Sequence, residues 1–285
     1  MPTGLRIATR GSELALWQAR HVDTLLGGGC ELVIVETTGD QRLDQPIWEL
    51  GGKGVFVKEV QRAVLDGRAD LAVHSAKDLP SDTPPGLVLA AVPERGDPRD
   101  ALAGASLAAL PQGATVATGS RRRQVQLAAL RPDLAFVGLR GNMATRLART
   151  AEVDAVVVAA VALERLGLAH HLAETFDVDV LVPQVGQGAL AIECRAADAA
   201  TLGALAVVEH GPSRLAVDAE RAFLATLGGD CDLPAGAHAT VDDGWLTLTG
   251  VLASDVTAPV TRHVASGDDP VALGTEVAAH LHSVS

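Results

Sequence analysis

The stretch Ala69-Asp70-Leu71-Ala72-Val73-His74-Ser75-Ala76-Lys77-Asp78-Leu79-Pro80 decides the fold. Residues 71–73 read as a short buried strand. The strand runs straight into His74, Ser75, Lys77 and Asp78, and Pro80 stops any continuation. A strand that delivers a base, a cation and a carboxylate at its C-terminal end is the layout of an α/β site, where ligands sit beyond the strand ends. Taken alone, an Asp between Lys and Leu-Pro also fits an ordinary turn.

Working outward, residues 5–9 read as a strand, Arg10-Gly11-Ser12 as a turn, and Ser12 as the N-cap of a helix. Ala15, Ala19, Val22 and Leu26 share one face of that helix, and Gly27-Gly28-Gly29 ends it. A second strand covers 32–38. The polar residues 40–52 are either a mobile loop or an ordinary connection, and 55–65 read as a second helix. The order β-α-β-α-β predicts a mostly parallel sheet. Another strand covers 87–92, and Pro93-Glu94-Arg95-Gly96-Asp97-Pro98 marks a boundary.

A second β/α series follows: strand 114–118, helix 120–130, strand 134–139, helix 142–149, strand 155–160 and a short helix to 166. A strand over 189–194 can return the chain to the first unit, making two crossings. The remainder changes character, with a helix over 215–227, alternating segments at 235–241 and 245–252, a strand near Val260 and a helix over 270–282. The expected organisation is two α/β domains, 1–92 with 189–206 and 93–188, plus a small α+β domain over 207–285. No internal repeat of fixed period is present.

The chain of 285 residues is 48% hydrophobic and only 2% aromatic, with no Tyr, so its cores are built from Ala, Val and Leu. No apolar run approaches the roughly 18 residues of a membrane span, and the N-terminus lacks the pattern of a signal peptide. Cys30, Cys194 and Cys231 are an odd number without metal-ligand spacing, which points to a reducing cytoplasm and to neither disulfides nor a metal. His74 and His238 lack a second ligand at metal spacing and read as core or loop histidines.

Net charge is −12, which argues against general nucleic-acid binding. Yet residues 117–149 hold seven arginines (121, 122, 123, 131, 140, 146, 149) and one acid, Asp133. A basic island in an acidic chain suggests a specific polyanionic ligand. Arg121, Arg122 and Arg123 fall in the first turn of a helix, where cations oppose the helix dipole, and an anionic ligand would reverse that sign. The strand–Arg–helix junction recurs at Thr9-Arg10-Gly11-Ser12 and Leu139-Arg140-Gly141-Asn142. Asp78, held ionised by Lys77, is a candidate acid/base in such a cleft. Cys231 lies in a glycine-rich loop between Asp230 and Asp232, whose charges should raise its pKa. An incidental cysteine fits that local sequence as well.

Six ordered blocks resemble the porphobilinogen deaminase (hydroxymethylbilane synthase) family over nearly the whole chain. They are Ile7-Ala8-Thr9-Arg10-Gly11-Ser12 with Leu14 to Ala19; Gly51-Gly52-Lys53-Gly54-Val55-Phe56-Val57-Lys58-Glu59; and Ala72 to Pro80. The others are Leu139-Arg140-Gly141-Asn142 with Thr145-Arg146-Leu147; Gly186-Gln187-Gly188-Ala189-Leu190-Ala191-Ile192-Glu193; and Ala219-Glu220-Arg221-Ala222-Phe223-Leu224.

The resemblance implies two domains like those of periplasmic binding proteins and a third that carries a dipyrromethane cofactor on Cys231 through a thioether. It implies that porphobilinogen loses ammonia, that the resulting azafulvene is attacked by the free pyrrole end of the chain, and that a linear tetrapyrrole is released by hydrolysis. Asp78 would serve the leaving amine and stabilise the pyrrole cation. Cys231, Lys77, Asp78, Thr118, Ser120, Arg122 and Arg123 would hold the cofactor. Arg10, Ser12, Gln18, Lys53, Arg140, Arg146 and Gln187 would hold porphobilinogen, and the loop before Gly51-Gly52 would be a lid. The resemblance carries forward a cytoplasmic, monomeric transferase of porphyrin biosynthesis, with neither nucleic acid, membrane nor metal as partner.

Three departures from the family pattern stand out. Gly119 and Arg121 replace a common Ser and Leu, Asp230 replaces the Gly before the cysteine, and Ala160-Val161-Ala162-Leu163 replaces Ala-Ala-Gly-Leu. Two other classes compete. A non-catalytic binder of small polyanions suits the arginines equally but needs neither Asp78 nor Cys231. A nucleic-acid binder is disfavoured by the acidic charge and by the lack of stacking aromatics near the arginines.

Overall fold

The computed structural model describes residues 4–37, 54, 56–228 and 233–284. The proposed lid before Gly51-Gly52, Lys53, Cys231 and its neighbours Asp230 and Asp232 lie outside the described residues. The described elements in chain order begin with β1 (Arg6–Arg10), α1 (Glu13–Leu25), β2 (Glu31–Val35), α2 (Lys58–Leu65), β3 (Leu71–Ser75) and β4 (Leu87–Ala91). The second series is β5 (Asp100–Ala103), β6 (Thr115–Ala117), α3 (Arg121–Leu130), β7 (Ala135–Val137), α4 (Met143–Ala148), β8 (Ala155–Ala159), α5 (Ala160–Arg165) and β9 (Leu172–Thr175). Then come β10 (Leu190–Arg195), α6 (Ala199–Leu205), α7 (Gly211–Thr226), β11 (Ala235–Asp242), β12 (Trp245–Leu252), β13 (Thr261–Gly267) and α8 (Pro270–Val284).

Two five-stranded sheets carry the α/β part, in the orders β2-β1-β3-β10-β4 and β7-β6-β8-β5-β9. Each is parallel except for its fourth strand. β10 runs antiparallel between β3 and β4, and β5 antiparallel between β8 and β9. The same pattern therefore recurs twice without a sequence repeat. In each sheet the odd strand is the one reached directly after a crossing, residues 92–99 for β5 and 176–189 for β10. β5 and β9 were not expected from the sequence. Each has only four residues, too short for an alternation to be read.

Local rules explain why the strands hand over to helices where they do. Ser12 Oγ accepts from Ala15 N at 3.4 Å, Ser120 Oγ from Arg123 N at 3.5 Å and Asn142 Oδ1 from Thr145 N at 2.9 Å. Such caps are each worth about 1 kcal/mol. All three follow the C-terminal ends of strands (β1, β6, β7), so the expected strand–Arg–helix junctions are real and open on the same side of their sheets. Ala15, Ala19, Val22 and Leu26 are buried as the periodicity required. Ala19, Val22 and Leu26 pack with Ile7, Leu71, Val73, Leu190 and Ile192. Leu102, Val116, Leu127, Val157 and Leu181 form the equivalent core of the second sheet.

The C-terminal unit is an antiparallel meander, β11-β12-β13, with α7 and α8 packed around Phe223, Leu246, Leu248 and Val277. It is locked to the crossings by one carboxylate. Glu220, fully buried on α7, accepts from Arg95 Nη1 at 2.6 Å, Gly186 N at 2.7 Å and Ala239 N at 2.9 Å. Burial pushes its carboxyl up, but Arg95 and His238 outweigh that and bring it down to about 2.

The two crossings lie side by side. Gly96 N donates to Gly188 O at 3.2 Å, and Arg165 Nη2 to the same carbonyl at 2.7 Å. Gly188 has φ +89°, and a Cβ there would stand 2.5 Å from Gly96 O, so both conformation and space demand glycine. Among the described residues, no helix is long and apolar enough to cross a membrane.

Candidate active site

β3 ends at Ser75, and a short 3-10 turn, Ala76–Asp78, carries Lys77 and Asp78 out of the sheet. Leu79, 4% exposed, anchors the turn from below. On the first-sheet side, Asp78 lines a cleft with Arg10, Ser12, Gln18, Phe56, His74 and Ser75. The Arg10 guanidinium lies 4.2 Å from the centre of the Phe56 ring. Gln18 is buried and donates to Ser75 Oγ at 2.7 Å. This brings four of the residues singled out in the sequence, Arg10, Ser12, Gln18 and Asp78, to one place.

A second group joins Asp78 from the other sheet. Lys77 Nζ donates to Gln187 Oε1 at 3.4 Å, and Arg123 Nη2 approaches the same oxygen at 3.5 Å. Burial pushes Lys77 down to about 8, helped by the Arg123 charge, while Asp78 and Asp100 pull it back up. Burial likewise lowers Arg146 to about 10, with Arg123 adding to the effect and Asp78 opposing it. Arg146 Nε donates to Gly141 O at 2.9 Å, fixing its stem. Lys77, Arg123, Arg146 and Gln187 thus share one electrostatic neighbourhood with Asp78. Thr118 Oγ1 accepts from Ser120 N at 3.2 Å, so Thr118 and Ser120 shape the start of α3.

The helix-dipole argument for Arg121, Arg122 and Arg123 needs a correction. The anion that compensates two of them belongs to the protein. Asp100, wholly buried on β5, accepts from Arg122 Nη1 at 2.7 Å, Arg123 Nη2 at 2.6 Å and Gln187 Nε2 at 2.9 Å. Burial alone would raise its carboxyl; the two guanidiniums outweigh that and hold it far below the usual range. Arg121 is exposed. Arg131 is paired with Asp133 and Arg149 with Glu152. The island's unmatched charge is therefore carried by Arg121 at the surface, by Arg140 and Arg146, and by the one guanidinium charge that Asp100 leaves over from Arg122 and Arg123.

Sequence reasoning missed Asp100 because it opens a strand four residues long. The signal available was a lone acid directly before an apolar run, facing an unbalanced arginine triplet. Gly119 also finds its reason: a Cβ there would stand 2.7 Å from Leu139 O, so the β6 and β7 ends close up where a serine would push them apart.

Orphaned donors test whether this site fits a polycarboxylate. Arg122 Nε and Nη2 and Arg140 Nη1 are buried and find no hydrogen-bond partner among the described residues. Buried donors of this kind are rare without a ligand or water to satisfy them, and guanidinium forks match carboxylates. The donor set fits a ligand bearing several carboxylates. Among the described residues no His/Cys/Asp/Glu cluster could hold a metal ion. His74 and His238 instead face buried carboxylates, at 3.2 Å from Glu193 and 3.5 Å from Glu220. Cys30 is half-buried, and its thiol is pushed up to about 12 by burial and then by Asp23, which makes it unreactive.

Comparison with known proteins agrees with this geometry. Residues 5–203 match the porphobilinogen deaminase, dipyrromethane cofactor binding domain, and residues 214–283 match the porphobilinogen deaminase C-terminal domain. Porphobilinogen deaminase of Nitratidesulfovibrio vulgaris (Miyazaki F) is 52% identical over 220 residues, 74% of this chain and 69% of that protein. The protein of the same name from Syntrophotalea carbinolica is 52% identical over 210 residues, 70% and 67% of the two chains. That of Geobacter metallireducens is 47% identical over 218 residues, 73% and 69%. Among solved structures, the lipoprotein Tp32 from Treponema pallidum is 15% identical with a TM-score of 0.41, covering 74% of this chain and 92% of that one. With a cofactor-binding domain and a C-terminal domain both matched in order, this chain belongs to the porphobilinogen deaminase family.

Proposed function

We propose that the protein is a transferase that condenses four porphobilinogen molecules, with loss of ammonia, into the linear tetrapyrrole hydroxymethylbilane. The observation that carries this reading is Asp78 itself: one carboxylate faces cations and amides from both sheets. Arg10, Ser12 and Gln18 approach it from the first, and Arg123, Arg140, Arg146 and Gln187 stand on the side of the second. Such a cleft can bind acetate and propionate groups at its rim and leave Asp78 to handle the leaving amine.

In this reading a dipyrromethane joined to Cys231 supplies the pyrrole nucleophile. Lys77, Thr118, Ser120, Arg122 and Arg123 hold it, with the orphaned donors of Arg122 taking a carboxylate. Arg10, Ser12, Gln18, Lys53, Arg140, Arg146 and Gln187 hold porphobilinogen. Asp78 donates a proton to the departing amine and stabilises the cation left behind, an effect that grows as water is excluded. The domains in this reading are 1–92 with 189–206, 93–188 and 207–285, and the protein works as a cytoplasmic monomer.

The test is the intact mass of the purified protein beside a Cys231→Ser variant. The wild type is expected to carry an excess equal to two linked pyrroles, and the variant none. Bare polypeptide in both, persisting after incubation with porphobilinogen, would favour a non-catalytic binding protein.

Lys77 gives a second expectation. Its ammonium is mostly charged at pH 7 and is lost as pH rises through about 8, so the site loses one cation there. Loading of the apo-protein with dipyrromethane from porphobilinogen should slow between pH 7.5 and 9, by about tenfold per pH unit at most. Lys77→Arg keeps its charge throughout, and its loading rate should stay flat over that range. Parallel profiles for the two proteins would show that Lys77 does not contact the carboxylates.

A further inference from the structure

His74 has no part in that reading, yet it lines the same cleft as Asp78. Its Nε2 lies 3.2 Å from Glu193 Oε2, and the two side chains are 4% and 1% exposed. Gln61 Nε2 donates to both oxygens of Glu193, at 3.1 and 2.9 Å. A buried line of polar groups thus runs from α2 through β10 to β3. The His74–Glu193 approach is short, but its angle falls outside a formed hydrogen bond. A small rotation of the ring closes it. With Nε2 turned to Glu193, the nitrogen left for the cleft is Nδ1. An imidazole backed by a carboxylate, itself fixed by an amide, is the geometry that prepares histidine as a base. The charged groups facing the pair are Asp78 and Arg10 in the cleft, and Arg221 of α7 on the Glu193 side.

We propose that His74 Nδ1 takes the proton which each condensation releases from the attacked pyrrole carbon, with Glu193 as the positioning carboxylate. This rests on the deaminase reading above. In each cycle the methylene–nitrogen bond of porphobilinogen breaks, and its electron pair leaves with ammonia. A carbon–carbon bond forms between that methylene and the free α carbon of the terminal pyrrole. The α carbon then gives up its hydrogen as a proton to Nδ1, and the carbon–hydrogen pair restores the aromatic ring. The imidazole passes the proton to water, and no oxidant or reductant is needed. Dividing the two proton transfers between two groups lets each keep a pKa suited to its own step.

The experiment compares wild type, His74→Gln and Glu193→Gln, using porphobilinogen with hydrogen or deuterium at the free α carbon. The wild type should release ammonia at the same rate from both. H74Q should turn over about 10²-fold more slowly or worse, and deuterium should slow it further, because proton removal has become rate-limiting. E193Q keeps the imidazole and removes its carboxylate. E193Q should also turn over more slowly and become sensitive to deuterium. In the substrate-free protein, the ¹⁵N shifts of His74 should place the ring proton on Nε2 in wild type and lose that preference in E193Q. If H74Q does not fold, E193Q decides by these two readouts. An H74Q rate within about threefold of wild type, a slow H74Q without an isotope effect, or an unmoved His74 tautomer signal in E193Q would overturn the proposal. A wild type that releases no ammonia from porphobilinogen would overturn the deaminase reading, and the proposal with it.

Discussion

Asp78→Asn is expected to reduce ammonia release from porphobilinogen about 10³-fold, within the range set by loss of a positioned acid or of an electrostatic stabiliser. The side chain keeps its size, and the turn that holds it is fixed by Leu79 beneath and Pro80 after it. The fold should therefore be untouched. What changes is charge. Lys77, Arg123 and Arg146 already crowd one another, since Arg123 lowers both of the other two. Asp78 is the opposing charge on the cleft side, Asp100 being already bound to Arg122 and Arg123. Without it nothing protonates the departing amine, and the cation left behind faces only guanidiniums and an ammonium. Substrate affinity should hold or rise, because the carboxylates of the substrate lose a like-charged neighbour. Single-turnover ammonia release and calorimetric binding read the two effects separately. A loss below tenfold would remove Asp78 from the chemistry.

The second large effect is on stability. Asp100→Asn should cost about 3–5 kcal/mol, the usual result of removing one partner of a buried ion pair. Asp100 is wholly buried, and both its oxygens are taken by Arg122 and Arg123, themselves 2% and 6% exposed. An asparagine leaves two buried guanidiniums facing each other. The half-buried counterpart is Asp133→Asn against Arg131, each about a quarter exposed, where the urea midpoint should move far less. Comparing the two midpoints separates burial from pairing. The pH sign follows from the lowered carboxyl of Asp100. Its contribution is complete above the ordinary carboxylate range and is lost only as pH falls well below it. The wild type should therefore lose stability in strong acid more steeply than the variant. Equal midpoints for Asp100→Asn and wild type would mean that the arginines find another partner.

The cleft was legible where chemistry and chain direction coincide. The stretch from Ala69 to Pro80 states a strand, a stop and three polar groups in a row, and the structure puts Asp78 and Lys77 where that order requires. The caps at Ser12, Ser120 and Asn142 were legible because capping is a rule about near neighbours. Asp100 and the Glu193–Gln61 pair were not, because their partners stand 22 to 132 residues away. A carboxylate buried by such partners looks in sequence like any surface acid. The same distance rule hid β5 and β9, four-residue strands made by pairing with β8 and with each other. The return of the chain through β10 was legible from its unbroken apolar run, Leu190 to Ile192. Its antiparallel direction was not, since composition does not encode direction.

The place of β10 sets a timetable for biosynthesis. The second sheet uses residues 100–175 alone, whereas the first stays unfinished between β3 and β4 until residues 190–195 exist. At about 5–20 residues per second, the strands up to Ala91 wait roughly 5–20 s for their centre. During that interval Leu71, Val73 and Leu87 line unpaired strand edges, the kind of surface that recruits other chains. The second unit should thus fold on the ribosome before the first, and a nascent chain halted between residues 100 and 189 should be the form most dependent on chaperones.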